Sequence, residues 1–534
     1  MSMFCYQCQE TLNNTGCTVK GVCGKNENVA NLQDLLIDEI KGISLYLEEK
    51  PIKEIREYGP FITRALFATI TNVNFDEDAI IAYINEAGKI KNSLHQKNSD
   101  ITNKENNSKS TLLNKAIEKS ILNEEDVDKR SLKELLIYGL KGAAAYTDHA
   151  YILGLQNDDI YKFTVEGLAA TTKDLNINEY INLVNKCGEV AVKAMELLDS
   201  ANTKAYGNPV ITKVKIDVGD RPGILVSGHD LKDLYELLEQ SQNQGIDIYT
   251  HSEMLPAHYY PALKKFDHLY GNYGSSWWNQ AKEFESFNGP ILMTTNCITN
   301  VRETYKSRFF TTGAAGWPGT KHIKDRINGK SKDFSEIIAM AKTCNPPTKL
   351  EEGYITGGFA HNQLMELADS ILKAVKEGKI KKFIVMAGCD GRHKSREYYS
   401  EVAKKLPNNT VILTAGCAKY RYIKLNLGEI DGIPRVIDAG QCNDSYSLAF
   451  IALKLKEILG LDDINKLPIA YDIAWYEQKA VCVLLGLLSL GVKGIILGPT
   501  LPGFLSENVA KVLINTFDLK GITTADSDIK EMLA

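Results

Sequence analysis

The sequence predicts a multidomain α and α/β protein, in which a helical N-terminal domain precedes two α/β domains. The 534-residue chain is too long for a single hydrophobic core. Apolar residues recur at helical spacing from about residue 28 to 203, whereas short apolar runs alternate with helical patterns after about residue 210. A long gap between Thr295 and Phe383 separates the runs into two groups, which predicts two α/β domains that meet near 365–378.

The helical part contains three segments with amphipathic periodicity. In each of them the apolar residues share one helical face. They are Leu32, Leu35, Leu36, Ile40 and Ile43 in the first segment, Leu132, Leu135, Leu136 and Leu140 in the second, and Tyr180, Leu183, Val184, Val190, Val192 and Leu197 in the third. The stretch from Lys89 to Lys129 is rich in Asn, Lys and Ser, and we expect a solvated connection or the exposed faces of short helices there.

Eight short apolar runs in the second part have the length and β-branched content of buried strands. They are Gly223–Ser227, Ile246–Thr250, Ile291–Thr295, Phe383–Ala387, Val411–Thr414, Val436–Asp438, Ile469–Tyr471 and Ile495–Leu497. Helical patterns separate most of them, which predicts parallel sheet. No G-x-G-x-x-G or P-loop pattern follows a strand, so a bound dinucleotide or nucleoside triphosphate is not expected.

Composition and charge are those of an ordinary globular protein. A formal net charge of −5 gives no electrostatic reason to expect nucleic acid or an anionic membrane as a partner. The N-terminus lacks the pattern of a secretory signal, and the longest apolar run, Ala480 to Val492, is too short for a bilayer and predicts a buried helix. Eleven cysteines without an export signal favour metal ligands, redox groups or core residues, which predicts a cytoplasmic location.

Four cysteines in the opening residues form a first candidate site, the N-terminal site: Cys5, Cys8, Cys17 and Cys23. A C-x2-C pair lets two thiolates from one tight turn bind the same metal, and the two later cysteines can complete a four-thiolate shell. The spacing fits a [4Fe–4S] cluster acting as an electron port, and it also fits a structural zinc site with the same ligands. The sequence predicts four-thiolate binding and leaves the metal open.

Four further cysteines follow predicted strands. They end the runs Pro290-Ile-Leu-Met-Thr-Thr-Asn-Cys297, Phe383-Ile-Val-Met-Ala-Gly-Cys389, Val411-Ile-Leu-Thr-Ala-Gly-Cys417 and Val436-Ile-Asp-Ala-Gly-Gln-Cys442. Ligands of open parallel sheets gather outside the carboxyl ends of the strands, so these thiols predict a pocket for iron or another thiophilic metal. The remaining cysteines lack this placement and are interpreted as structural: Cys187, Cys344 and Cys482.

Histidine, carboxylate and lysine side chains are predicted at the same edge. His229 ends one strand, and His251 and Glu253 end the next, so by sequence alone either histidine is a candidate ligand. Glu477 and Lys479 follow the strand at 469–471. Oxygen and nitrogen ligands distinguish a reactive metal centre from an all-thiolate electron-transfer cluster. The lysine and the carboxylates are candidates to move protons there.

Taken together, these residues closely resemble those of the hybrid-cluster proteins, also called hydroxylamine reductases, over nearly the whole chain. The matching stretches surround the strand-end residues. They are Gly-His229-Asp, Glu253-Met-Leu-Pro-Ala-His258, Thr-Thr-Asn-Cys297, Phe-Thr-Thr-Gly313 through Gly316-Trp-Pro-Gly319, Gly-Cys389-Asp-Gly-Arg392, Ala-Gly-Cys417-Ala-Lys-Tyr-Arg421, Gly-Gln-Cys442-Asn-Asp-Ser-Tyr446, Trp-Tyr-Glu477-Gln-Lys479 and Leu497-Gly-Pro-Thr-Leu-Pro502.

The resemblance implies a fold and two cofactors. It implies an N-terminal helical-bundle domain at 28–210, preceded by a cysteine-rich cluster loop at 1–27 that belongs to it, and two Rossmann-like α/β domains at 211–370 and 371–534. It implies a [4Fe–4S] cluster on the N-terminal site, in the spacing of the cubane class. It also implies a hybrid [4Fe–2O–2S] cluster with Lys479 beside it, on these ligands: His229, Glu253, Cys297, Cys389, Cys417, Cys442 and Glu477. The cysteine matching Cys389 can carry a persulfide in the family.

The activity implied by the resemblance is reduction of hydroxylamine to ammonia and water, with protons from Glu253, His229, Glu477 or Lys479 and electrons from a separate donor protein. Reduction of nitric oxide to nitrous oxide, or protein S-nitrosylation in nitrosative-stress defence, is an alternative on the same centre. A carbon monoxide dehydrogenase-like enzyme is a more distant one. Five residues depart from the family pattern and bear on loop shape and substrate access: Ser252, Tyr259, Asn300, Val301 and Ile423.

Overall fold

The computed structural model describes residues 2–96 and 108–534 of the chain. Part of the predicted polar connection, residues 97–107, lies outside the described residues. On either side of it the chain is helical, with a helix that ends at Gln96 and another at Lys109–Ile117.

Seven helices of the described residues form the N-terminal bundle. They are α1 (Glu27–Leu47), α2 (Ile52–Ala68), α3 (Glu77–Gln96), α4 (Lys109–Ile117), α5 (Val127–Ile152), α6 (Asp158–Ala170) and α7 (Ile177–Tyr206). The predicted apolar faces lie on α1, α5 and α7 and line the core of the bundle. Side-chain caps fix where these helices begin, because the Asn26 side chain accepts a hydrogen bond from the Val29 N–H and Asn176 forms a capping box with Glu179.

The first α/β region contains eight strands and five helices. They are β1 (Thr212–Lys215), β2 (Gly223–Ser227), α8 (Leu231–Ser241), β3 (Asp247–Thr250), α9 (Pro261–Lys264), β4 (Leu269–Asn272), α10 (Gln280–Ser286), β5 (Ile291–Met293), α11 (Glu303–Lys306), β6 (Phe309–Thr312), β7 (Lys321–Ile323), α12 (Ser335–Ala341) and β8 (Tyr354–Gly357). Strands β1 and β8 form a separate antiparallel pair.

The second α/β region holds the remaining elements. They are α13 (His361–Glu366), α14 (Ala368–Lys376), β9 (Lys382–Val385), α15 (Glu397–Lys405), β10 (Thr410–Thr414), β11 (Glu429–Ile430), β12 (Ile433–Pro434), β13 (Val436–Asp438), α16 (Ser445–Ile458), β14 (Ile469–Ala474), α17 (Gln478–Ser489), β15 (Ile495–Gly498), α18 (Glu507–Phe517), β16 (Lys520–Gly521) and α19 (Ala525–Leu533).

Two parallel six-stranded sheets share one topology. Their strand orders are β4-β3-β2-β5-β6-β7 and β13-β10-β9-β14-β15-β16. Numbered within its own sheet, each order is 3-2-1-4-5-6, which is the Rossmann order. The predicted multidomain fold with a helical bundle and Rossmann-like sheets is confirmed, and all eight predicted strands are present. The domain boundaries at 27, 210 and 370 stay predictions.

Helix α17 belongs to the second α/β region in sequence but packs between α5 and α7 of the bundle. Glycines on the two bundle helices permit this approach. A Cβ atom on Gly188 would stand 2.2 Å from the Leu485 carbonyl oxygen, and one on Gly142 would stand 2.6 Å from the Gln478 carbonyl oxygen. The predicted buried helix is therefore confirmed. Among the described helices, none combines the length and the apolarity needed to cross a bilayer.

Candidate metal centre

The N-terminal site is a compact loop held by backbone pairing. Cys5 and Cys17 exchange backbone hydrogen bonds of 3.0 and 2.8 Å, and the Leu12 N–H lies 3.4 Å from Cys17 Sγ. Burial raises the pKa of the Cys8 thiol, and the neighbouring Cys23 and Cys5 raise it further. Lys25 is buried beside them, and although burial alone would lower its pKa, Cys5 and Cys23 raise it. The site is thus a group of thiols with Lys25 as a buried cationic neighbour.

The Rossmann order of both sheets places the other candidate residues together. In this order, ligands bind at the carboxyl ends of the strands where the direction of winding reverses, which is between β2 and β5 in one sheet and between β9 and β14 in the other. His229 and Cys297 follow β2 and β5, and Cys389 and Glu477 follow β9 and β14. The neighbouring strands supply the rest: Glu253 after β3, Cys417 after β10 and Cys442 after β13. We call these seven residues and Lys479 the central site.

Glycines before three of the cysteines let the strand-end loops of the second sheet lie against one another. The Gly388 N–H donates to the Ala415 carbonyl at 2.9 Å, and the Gly416 N–H donates to the Gly440 carbonyl at 3.1 Å. Gly388 has a φ of +108°, and a Cβ atom there would stand 2.0 Å from the Ala474 carbonyl oxygen. A side chain at this position is therefore excluded, which is the physical reason for glycine before the cysteine.

Three ligand atoms of the central site converge most closely. One ligand atom each of His229, Glu253 and Cys442 lie within 4.8 Å of one another, and all three residues are buried. His229 Nε2 is 3.7 Å from Glu253 Oε2, and the same oxygen accepts a hydrogen bond of 2.9 Å from the Cys442 N–H. Histidine, carboxylate and thiol from three different strand ends thus surround one point, across both sheets.

The structure distinguishes the two histidines that the sequence left open. His251 Nδ1 lies 3.0 Å from Ser227 Oγ, and its Nε2 lies 2.9 Å from Glu283 Oε2. Both ring nitrogens of His251 therefore have hydrogen-bond partners within the first α/β region. His229 instead turns its Nε2 toward Glu253 and the buried amine of Lys479.

Lys479 connects the two sheets. Its Nζ lies 2.9 Å from His229 Nε2 and donates to Asn296 Oδ1 at 2.8 Å. It is also 3.6 Å from Glu477 Oε1, and this carboxylate caps α17 by accepting from the Lys479 N–H. Burial alone would lower the pKa of Lys479, but Cys442 and Glu477 outweigh burial and raise it. The lysine is therefore a fixed ammonium in the centre of the site.

Burial controls the protonation of the other groups. It raises the pKa of all four thiols of the central site, that of Cys442 to about 12. Burial lowers the pKa of His229, and the positive charge of Lys479 lowers it further. Burial raises the pKa of Glu253, and this effect outweighs the lowering caused by Lys419. Four thiols, two carboxyl groups and a neutral imidazole in a buried space are a donor set that a multivalent cation would deprotonate and hold.

Two residues contact this site in ways that the sequence did not reveal, Asn296 and Ser252. Asn296 donates to Glu477 Oε1 at 3.2 Å and lies 3.4 Å from Cys297 Sγ, so it orients a lysine, a carboxylate and a thiol. Asn296 lies in the Thr-Thr-Asn-Cys stretch directly before Cys297, but the sequence pattern assigned it no role. Ser252 Oγ lies 3.4 Å from Cys417 Sγ, and its backbone adopts a φ of +54°, which favours glycine.

An aromatic wall separates the central site from the N-terminal site. The rings of Trp277 and Tyr476 lie 4.6 Å apart and contact three of the cysteines, Cys297, Cys389 and Cys417. The Tyr476 carbonyl accepts a hydrogen bond of 2.9 Å from the Gln9 N–H, next to Cys8. A bonded connection between the two sites therefore contains a single hydrogen bond.

Two cavities of different chemistry reach the central site. The apolar cavity, of about 1280 Å³ with its opening, is lined by side chains such as Leu413, Leu448 and Ile473 and reaches Cys389 and Cys442. The polar cavity, of about 230 Å³ with its opening, reaches His229 on another side. Its lining includes His149, Asn202, Asp230, Lys232 and Gln441.

The departures from the family pattern fill space near the site. The Tyr259 hydroxyl donates to Asp438 Oδ2 at 2.7 Å, and Asn300 Oδ1 abuts Gly24, where a Cβ atom would stand 2.0 Å away. Ile423 packs beside the small apolar cluster that includes Tyr259. The cysteines interpreted as structural lie elsewhere: Cys187 and Cys482 are buried where α17 meets the bundle, and Cys344 lies near Met340.

Comparison with known proteins gives one family over the whole chain. The model of the Prismane/CO dehydrogenase family matches residues 3–530. A protein of Chlorobaculum tepidum named hydroxylamine reductase is 60% identical over 538 residues, and one of Nitratidesulfovibrio vulgaris with the same name is 58% identical over 553 residues. Each alignment covers 100% of both chains.

Solved structures with low sequence identity share the fold. Carbon monoxide dehydrogenase IV from Carboxydothermus hydrogenoformans superposes with a TM-score of 0.59 at 14% identity, covering 99% of this chain and 92% of that one. A nickel-free carbon monoxide dehydrogenase from Thermococcus sp. AM4 gives a TM-score of 0.57 at 16% identity, covering 99% and 90%. At these identities the likeness concerns the fold alone.

Proposed function

Because the chain belongs to the Prismane/CO dehydrogenase family, we propose that it is an iron–sulfur oxidoreductase that reduces hydroxylamine to ammonia and water. Its full-length relatives carry the name hydroxylamine reductase. The observation that carries the proposal is the convergence of one ligand atom each of His229, Glu253 and Cys442 within 4.8 Å, at strand ends whose neighbours carry Cys297, Cys389, Cys417 and Glu477. A mixed shell of this kind suits a centre that binds exchangeable oxygen or nitrogen ligands.

Membership of this family implies iron–sulfur clusters, and we assign two of them. A [4Fe–4S] cluster would be held by Cys5, Cys8, Cys17 and Cys23. A hybrid [4Fe–2O–2S] cluster would be held by His229, Glu253, Cys297, Cys389, Cys417, Cys442 and Glu477. The buried or half-buried, disulfide-free thiols and the convergence of His229, Glu253 and Cys442 within 4.8 Å support this assignment. When bound, the hybrid cluster supplies electrons and Lewis acidity.

The chain's own groups would supply the protons. Reduction of hydroxylamine consumes two electrons and two protons, breaks the N–O bond and releases ammonia and water. Lys479 stays protonated in the centre and can donate from Nζ, while Asn296 and Glu477 keep that amine in place. Glu253 has a pKa raised by burial, which suits a second proton donor. The surrounding burial excludes bulk water from both groups.

Electrons would arrive from a separate donor protein through the N-terminal site. The bonded connection from Cys8 through Gln9 and Tyr476 to Glu477 supports this route between the N-terminal site and the central site. Lys25 compensates the negative charge that an added electron brings to the N-terminal thiolates.

The apolar cavity supports a second candidate function. Nitric oxide is a small apolar gas, and a cavity lined by aliphatic side chains leads toward Cys389 and Cys442. Reduction of nitric oxide to nitrous oxide on the same centre is therefore the second candidate. Anaerobic kinetics with both substrates and the same electron donor would distinguish the two.

The test of the site uses its two alternative histidines. His229→Ala and Glu253→Gln should abolish hydroxylamine turnover and alter the paramagnetic signal of the central site, while the signal of the N-terminal cluster persists. The matched control is His251→Gln, which changes a buried histidine at the neighbouring strand end and should retain turnover. Full activity of His229→Ala, or loss of activity in the control alone, would contradict the assignment.

A further inference from the structure

Arg396 is a buried arginine that bonds to the loops of both candidate sites. It is 0% exposed and lies directly before α15. Its Nη1 donates to the Cys389 carbonyl at 3.1 Å, at a strand end of the central site. Its Nη2 donates to Gln9 Oε1 at 2.9 Å, next to Cys8, and to the Trp475 carbonyl at 2.7 Å. One guanidinium therefore joins the loop of the N-terminal site to the loops that follow β9 and β14.

The charge of Arg396 has no counter-charge among the described residues. All three acceptors are neutral, and its Nε has no hydrogen-bond partner in the described part of the chain. The carboxylates that follow two of these acceptors in sequence, Glu10 and Asp390, are paired with other arginines. Their partners are Arg392 at 2.9 Å and Arg421 at 2.7 Å. Because an unpaired buried cation is costly, the counter-charge of Arg396 is expected on the groups that the two sites bind.

A second buried arginine, Arg435, is compensated in a way that Arg396 is not. Arg435 donates to the carbonyls of Leu406 and Pro407 at 3.2 and 2.8 Å, directly after the end of α15. The carbonyls at a helix C-terminus carry partial negative charge, which stabilises a cation. Arg396 lies at the opposite end of the same helix, where the partial charge is positive. The helix therefore supplies compensation to Arg435 and none to Arg396.

We propose that Arg396 is the shared counter-charge of the two proposed clusters and a positioning residue for the electron that passes between them. The inference rests on the proposed function. Each transfer oxidises the N-terminal cluster by one electron, which came from the donor protein, and reduces the central cluster by the same electron. Two such transfers supply the two electrons that one hydroxylamine consumes.

Arg396 bonds to the chain on both sides of this transfer. A Cβ atom on Gly391 would stand 2.7 Å from Arg396 Nε, so the guanidinium is packed closely against the backbone that follows Cys389. A positive charge that is held in place and shielded from water favours added negative charge nearby. Arg396 should therefore raise the midpoint potential of both clusters.

The test is an anaerobic redox titration of the cluster-loaded protein, with the paramagnetic signal of each cluster as its readout. Four forms are compared: the unaltered chain, Arg396→Gln, Arg396→Lys and the control Arg435→Gln. At an effective dielectric constant of about 20, a unit charge roughly 12 Å from another changes an equilibrium about tenfold. Arg396→Gln should therefore lower the reduced-to-oxidised ratio of both clusters about tenfold at a fixed potential, which is about 59 mV for a one-electron couple. Arg396→Lys keeps the charge, so it should stay within about threefold of the unaltered chain, as should the control.

Gln9→Glu tests the same charge without removing the arginine. A carboxylate at this position would pair with Arg396 Nη2 and neutralise the guanidinium, while the side chain keeps its shape. The ratios of both clusters should again fall about tenfold. This variant gives a result even if Arg396→Gln fails to fold.

The outcomes separate this inference from the proposed function. An unaltered chain with neither the two paramagnetic signals nor hydroxylamine turnover would overturn the proposed function itself. In a loaded and active chain, unchanged potentials in Arg396→Gln or in Gln9→Glu would overturn the role of Arg396 alone. An equal fall in Arg396→Lys or in Arg435→Gln would do the same, since the effect would then not come from this charge. A shift confined to one cluster would overturn the shared role.

Discussion

Replacing Gly24 with alanine tests how tightly the N-terminal site depends on the loop that carries Asn300. Gly24 directly follows Cys23 and has a φ of +97°, a conformation that L side chains rarely adopt. A Cβ atom there would stand 2.0 Å from Asn300 Oδ1 and 3.1 Å from its Cγ. The substitution therefore strains the backbone and forces the asparagine side chain away from the loop.

Two contributions to the free-energy cost of Gly24→Ala can be separated. Positive φ costs an L residue about 1–2 kcal/mol, and turning the exposed Asn300 side chain out of the way adds about 0.5–1.5 kcal/mol. The sum of about 1.5–3.5 kcal/mol is spent locally, so it should favour local opening of residues 5–24 over global unfolding. Since 1.4 kcal/mol corresponds to a factor of ten, opening should increase by at least about tenfold.

The assay follows loss of the N-terminal cluster. Protein is mixed anaerobically with an iron chelator, and the paramagnetic signal of that cluster is followed while the signal of the central site serves as an internal reference. The matched control is Gly245→Ala, because Gly245 has a φ of +75° with no atom within 4 Å of the added Cβ. Gly245→Ala carries the free-energy cost of positive φ without a steric clash. Gly245 precedes β3, at the end of that strand opposite the central site.

A double variant then isolates the contact with Asn300. Gly24→Ala together with Asn300→Ala should remove the side-chain part of the cost and slow the loss of iron by about two- to twelvefold relative to Gly24→Ala. Equal rates in Gly24→Ala and Gly245→Ala, or a double variant no slower than Gly24→Ala, would refute the reasoning from this contact.

Three further variants have defined outcomes. Lys479→Met should lower turnover by at least about 100-fold with iron content retained, because it removes a positioned proton donor; activity within tenfold of normal would argue against this role. Ser252→Gly should stabilise the chain by about 1 kcal/mol by relieving the φ of +54°, and a lowered melting temperature would show that the contact with Cys417 matters more. Burial and the nearby Asp528 raise the pKa of Asp472 well above its usual value. Because the folded state favours the protonated carboxyl group, Asp472 destabilises the fold increasingly as the pH rises above the pKa that this group has in the unfolded chain. Asp472→Asn should therefore raise the melting temperature more at pH 8 than at pH 5, and an equal effect at both values would contradict the assignment.

Much of the fold was predictable because the central strands are buried on both faces. Strands β2, β9, β10 and β15 read as continuous apolar runs. The strands missed from the sequence lie mainly at sheet edges or outside the two sheets. Strand β7 is half exposed and begins with Lys321 and His322, and β16 has two residues, so neither carries a periodic signal.

The central site was predictable only as a list of candidates. The strand that precedes each residue predicts the sheet edge on which that residue lies. The sequence does not predict how far apart the edges of the two sheets lie. The choice between His229 and His251 depends on Lys479 and on Glu283, which are distant in sequence from both histidines. The role of Asn296 has the same origin, since its partners Lys479 and Glu477 lie more than 180 residues away.

The contact between the first and last parts of the chain has a consequence for biosynthesis. Gln7 and Gln478 are hydrogen-bonded across 471 residues, and the Gln9 N–H binds the Tyr476 carbonyl nearby. Domains generally fold as the chain emerges from the ribosome, but neither the N-terminal loop nor the central site can reach this arrangement until the strand before Tyr476 has been made. Both proposed clusters are therefore expected to enter after the strand before Tyr476 has been made, because the backbone around Gln7 and Gln9 depends on its contacts with Gln478 and Tyr476.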